Sequence, residues 1–123
     1  MATDIGARST TAHRSAVTQS TQDIARFLVN NLGAALTAHI AGVDRRTINR
    51  WAEGSPARAD GEKNLRAAFQ VFQLIQTVDA PPTVRAWFMG MNPQLDDTSP
   101  TEALADGLHR EVMAAARAFV SGG

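Results

Sequence analysis

Apolar residues recur at intervals of three and four from Ile24 to Phe119, and no run alternates with period two over the length of a strand. The first spacing places side chains on one face of an α-helix; a half-buried strand needs the second. The chain is therefore expected to be all-α. Glycines, prolines and capping residues cut the pattern into about seven helices. Ser20 or Thr21 caps the first, in which Ile24, Phe27, Leu28 and Leu32 share a face. Gly33 breaks it, and a short helix follows over 34–41, with Leu36 and Ile40 in phase. Gly42-Val43-Asp44 is a turn, and Asp44 caps a third helix that Gly54-Ser55-Pro56 ends. The strongest signal lies over 60–78. There the stripe Leu65, Ala68, Phe69, Phe72, Ile75 is widened by Val71, Leu74 and Val78. Three shorter helices are expected over 83–88, from the capping box Ser99-Pro100-Thr101-Glu102 to Gly107, and over 108–120.

Within that series the window Ala34–Trp51 is the most constrained. A helix-turn-helix needs a small residue where its helices cross, and Ala38 is small. Four positions on it needs a residue tolerant of positive φ, and Gly42 stands there. Val43 plugs the turn from inside. Ile48 seats the second helix, and Trp51 continues the same face. The outward face is then Arg45, Arg46, Thr47, Asn49 and Arg50. Arg can bond guanine, and Asn adenine, through two hydrogen bonds in the major groove. These five residues are the expected contacts to double-stranded DNA. Ser55, Arg58, Lys63 and Arg66 flank the motif as candidate phosphate contacts, and Arg8 and Arg14 could reach along a groove.

The formal net charge is zero, which does not by itself favour nucleic acid, but its distribution is uneven. Residues 1–68 carry nine of the twelve basic residues and six of the twelve acidic ones; residues 69–123 carry the remaining three and six. A basic front and an acidic back fit two surfaces with different partners. The expected organisation is an N-terminal arm over 1–18, a helix-turn-helix region over 19–58, and a helical dimerisation and protein-binding region over 59–123. The arm is expected to be mobile because Ile5 and Val17 are its only larger aliphatics.

Other function classes find little support. The chain has no cysteine, so it has neither disulfides nor thiolate-bound zinc, and a reducing cytoplasm suits it. No apolar run approaches the roughly 18–20 residues that a membrane span needs, and Met1–Ser20 has no signal-peptide core. His13, His39 and His109 are not at ligand spacing, and Asp96-Asp97 has no third partner, so no metal site is expected. With no nucleophile elbow and no glycine-rich phosphate loop, neither an enzyme nor a cofactor is expected.

The back half carries a further pattern: Ala86-Trp87-Phe88, then Met91-Asn92-Pro93-Gln94-Leu95, then Thr98-Ser99-Pro100-Thr101-Glu102-Ala103-Leu104, then Gly107, with Val112 near the start of the last helix. Following a helix-turn-helix, this resembles the toxin-binding domain of the Xre/MbcA/ParS-type antitoxins. The resemblance implies an all-α dimer that represses its own operon and neutralises a RES-domain toxin acting on NAD. It departs from that pattern after the last helix, at Phe119-Val120-Ser121-Gly122-Gly123. On this reading Trp87, Asn92, Pro93, Phe119 and Val120 are the candidate residues for a partner protein. A solitary or phage-type repressor without a toxin is the alternative, as is a protein-interaction module without DNA binding.

A single helix-turn-helix reads too few bases for an operator, so such proteins pair across half-sites roughly 34–36 Å apart. A C2 homodimer is therefore expected, through Val71, Phe72, Leu74 and Val78 on the wide face of the 60–78 helix.

Overall fold

A computed structural model describes residues 19–122; the arm expected over 1–18 lies outside them. The described chain is all-helical. Its α-helices are α1 (Thr21–Leu32), α2 (Ala34–Ala41), α3 (Arg45–Ala52), α4 (Ala59–Ile75), α5 (Pro81–Met89), α6 (Pro100–Ala105) and α7 (His109–Val120). One 3-10 turn, Pro93–Leu95, sits between α5 and α6. Among the described residues the only β-type pairing is an isolated bridge between Asn92 and Thr98.

The helix starts follow from local chemistry. Ser20 Oγ accepts from the Asp23 N–H, Asp44 accepts from the Thr47 N–H, and Ser99 Oγ accepts from the Glu102 N–H. Each satisfies an amide that the first turn leaves without a partner. Prolines open α5 and α6, where a missing N–H does no harm. Gly33, at φ 92°, alone joins α1 to α2.

One helix is shorter than its periodicity predicts. The signal over 60–78 ends as helix at Ile75, and Thr77 Oγ1 donates to the Leu74 carbonyl at 2.6 Å. The chain then enters Ala80 in an extended conformation, the one favoured before Pro81. Val78 therefore lies in a turn, 52% exposed, and not on the helix face.

α4 runs through the centre. Leu65, Phe72 and Ile75 from α4 close against Ile24, Leu28 and Leu32 of α1, Val84 and Phe88 of α5, Leu104 of α6 and Val112 of α7. Phe27 meets Phe69 and Phe72 edge-on, with ring centroids 5.2 Å apart in both pairs. The cluster crosses the expected boundary between residues 58 and 59 without interruption. Among the described residues, no buried side-chain nitrogen or oxygen lacks a hydrogen-bond partner. Thr101 Oγ1 closes the end of α5 at the Phe88 carbonyl (2.8 Å), and Arg85 closes α1 at the Leu32 carbonyl (3.1 Å).

This packing corrects the expected dimer face. Val71 and Phe72 are 1% and 0% exposed, closed inside the chain's own core. The stripe is wide because α4 is packed on several sides at once, so these two side chains have no surface to offer a second copy. Leu74, half-buried, and Val78 remain at the surface.

Candidate nucleic-acid interface

The turn between α2 and α3 is built as its residues predict. Gly42 adopts φ 74°, and its N–H and that of Val43 close the end of α2 on the His39 and Ala38 carbonyls, at 3.1 and 3.0 Å. A side chain at this φ would cost energy that glycine avoids. Ala38 is buried, Val43 is packed against the core, and Ile48 and Trp51 seat α3 in it.

A further contact fixes α3 from the other side. Gly61, in the first turn of α4, lies directly under the Trp51 indole. A methyl group added there would stand 2.6 Å from Trp51 Cη2 and 3.0 Å from the Ala41 carbonyl oxygen. The residue went unnoticed in the sequence, where the one available signal is a glycine inside a helix with no turn to make.

The face of α3 turned away from Ile48 and Trp51 presents Arg45, Arg46, Asn49 and Arg50, all exposed, with Thr47 half-buried. Among the described residues none of the three arginines forms an ion pair. Asp44 does not neutralise them. Its carboxyl accepts from the Thr47 N–H at 2.8 Å. Hydrogen bonds from Thr47, backbone first, hold it below the ordinary carboxylate range, with smaller help from Arg46 and Arg50.

The flanking cations divide. Arg58 donates to the Gly42 carbonyl (3.4 Å), and Arg26 of α1, which the sequence did not single out, donates to the Ala52 carbonyl (3.3 Å). Both are exposed, as are Ser55 and Lys63. Arg66, among the candidate phosphate contacts, is half-buried and already engaged by the chain itself. It bonds the Gln19 carbonyl at 2.7 Å and Glu62 at 3.0 Å, and Glu62 also accepts from the Thr21 hydroxyl. Helical spacing sets Arg66 one turn after Glu62, but the bond to Gln19 joins positions 47 apart. His39 meets Glu102 at 2.6 Å, and His109 meets Asn64 at 2.7 Å.

A surface cleft lies among the residues expected to meet a partner protein. Trp87, Asn92, Pro93, Gln94, Ala115 and Phe119 line a cleft of about 290 Å³. Trp87 and Phe119 lie 6.3 Å apart, centroid to centroid. Of the five residues expected to meet a partner protein, four line this cleft; Val120, half-buried, is not among its lining residues. Met89 and Met91, both exposed, follow Trp87 along the chain. Asp96 and Asp97 stand at positive φ, 55° and 65°, in the loop beyond Pro93. Among the described residues, no group of histidine and acidic side chains is arranged to hold a metal ion, and no helix is long and apolar enough to cross a membrane.

This fold has a solved counterpart. The chain superposes on a chain of the crystal structure of the M. tuberculosis MbcT-MbcA toxin-antitoxin complex with a TM-score of 0.70. The match covers 82% of this chain and 94% of that one at 21% sequence identity. At that identity the MbcT-MbcA likeness is one of fold. No protein-family model matches the sequence, and no curated protein matches it significantly.

Proposed function

We propose that this protein is a sequence-specific DNA-binding repressor of antitoxin type. The observation that carries the reading is the outward face of α3. Arg45, Arg46, Asn49 and Arg50 stand together in solvent on a helix whose opposite face is buried and whose entry is fixed by the Gly42 turn. Arginine and asparagine on one exposed helical face match the donors and acceptors of guanine and adenine edges. Phosphates would supply ion-pair partners to the three arginines, which form no ion pair among the described residues.

The test is binding to a duplex covering the region upstream of the protein's own reading frame, followed by fluorescence anisotropy at several salt concentrations. Arg46→Ala and Asn49→Ala should each weaken specific binding by about 1–3 kcal/mol, roughly 5- to 150-fold, as loss of a base contact does. Helical content should stay unchanged, because both residues point away from the core. Absence of salt-dependent binding by the unaltered protein would leave a protein-interaction module in place of a repressor.

A second activity is supported by the cleft at Trp87 and Phe119, together with the likeness to a chain of a toxin–antitoxin complex. On this reading the cleft receives a RES-domain toxin, and the protein both silences its operon and holds that toxin inactive. Co-purification with a RES-domain protein encoded beside it, lost on Trp87→Ala, tests the pairing. Absence of such a neighbour favours a solitary regulator.

A further inference from the structure

Arg26 and Arg58 share an arrangement that no other cation near α3 has. Each belongs to a neighbouring segment, Arg26 to α1 and Arg58 to the residue before α4, yet each guanidinium reaches a backbone carbonyl at one end of α3 through a single long hydrogen bond, 3.3 and 3.4 Å. Arg58 holds Gly42, in the turn that leads into α3. Arg26 holds Ala52, the last residue of α3. Both residues are exposed, and neither forms an ion pair among the described residues. A guanidinium carries five N–H donors, and a single carbonyl leaves most of them free.

We infer that Arg26 and Arg58 are the phosphate contacts that position α3 in the major groove, one at each end of the helix. The inference rests on the DNA-binding reading above; it selects Arg58 from the flanking candidates and adds Arg26, which the sequence did not offer. The major groove of B-DNA is wide enough to admit an α-helix, and exposed cations beside both ends of that helix are placed to reach the phosphates that border the groove. Arg26 also sits at the negative end of the α3 dipole, which favours its charge there. Contacts of this kind fix register without reading sequence.

The experiment is the salt dependence of affinity for two duplexes of equal length, the upstream region and an unrelated sequence. Each phosphate contact contributes about 0.9 to the slope of log K against log salt concentration. Arg26→Gln and Arg58→Gln should each lower the slope by about 0.9 and the double variant by about 1.8. The loss, about fivefold per residue at 0.15 M salt, should be equal on both duplexes. Arg26→Lys and Arg58→Lys keep the charge and should keep the slope, even if melting shifts because the carbonyl bond is altered. Folded Gln variants with an unchanged slope would overturn the inference and leave the two arginines as helix-end caps. Lys variants that stay folded but lose slope would overturn it as well. If the unaltered protein binds neither duplex in a salt-dependent way, the DNA-binding reading itself falls, and that outcome is distinct from a selective failure at Arg26 and Arg58.

Discussion

Ile48 and Gly61 hold α3 from opposite directions. Ile48 is fully buried, and truncation to alanine leaves a cavity that the packed neighbours fill only in part. Ile48→Ala should cost about 2–5 kcal/mol of stability, measured by urea or thermal melting; an unchanged midpoint would place the wrong residue in the core. Gly61 opposes two effects. Alanine inside a helix gains up to about 1 kcal/mol over glycine, but here its methyl would stand 2.6 Å from a buried indole carbon and 3.0 Å from a backbone oxygen. Overpacking of that kind costs about 1–3 kcal/mol, and a rigid ring lodged in the core yields less than a flexible chain would. Gly61→Ala should therefore be destabilising on balance and should alter Trp51 fluorescence. A higher melting temperature would show that α4 can lift away from α3.

At the scale of elements, polar side chains more than helix propensity join one helix to the next. Glu62 links α4 to α1 by accepting from Thr21 and pairing with Arg66, which in turn holds Gln19. The Thr21 hydroxyl, then Arg66, lower the Glu62 carboxyl below its ordinary value. A carboxyl lowered in the folded state contributes stability above its unfolded pKa and loses that contribution as pH falls through the folded value. Acid should therefore loosen the α1–α4 junction. Glu62→Gln should remove part of the decline in stability between about pH 5 and 3, with Asp44 contributing a further part. If the acid limb of the pH–stability curve is the same in Glu62→Gln, the junction does not depend on this charge. α6 shows the same principle in another form. Ser99 caps it as its capping box predicts, but Glu102 turns away to His39 of α2. The box is half-formed because a tertiary partner competes for its carboxylate.

Across the whole molecule, the burial of Val71 and Phe72 leaves Leu74 and Val78 as the surface residues of the face expected from the sequence to pair. If the protein binds DNA as a C2 dimer, sedimentation at micromolar concentration should give twice the 13.1 kDa of one chain. Leu74→Asp and Val78→Asp should return it to the monomer and weaken operator binding while leaving the chain folded. Val71→Asp should instead unfold the monomer, since its side chain is in the core. A 13.1 kDa species whose operator affinity is indifferent to Leu74→Asp and Val78→Asp would rule out this interface.

Much of this protein is determined by its sequence alone, because the relevant forces act within a few residues. Helical periodicity, the caps at Ser20, Asp44 and Ser99, and the Gly42 turn depend on neighbours one to four positions away. So does the division of α3 into a buried face at Ile48 and Trp51 and an exposed face at Arg46 and Asn49. The cleft residues Trp87, Asn92, Pro93 and Phe119 were legible only through a resemblance, because they come from separate elements. Tertiary structure alone decided the remainder. Whether a wide apolar stripe closes a core or faces a second copy depends on how many helices surround α4, and periodicity does not count them. Which backbone carbonyls an arginine reaches depends on partners far along the chain. Arg66 finds the Gln19 carbonyl besides Glu62 one turn back, while Arg26 and Arg58 find only backbone carbonyls.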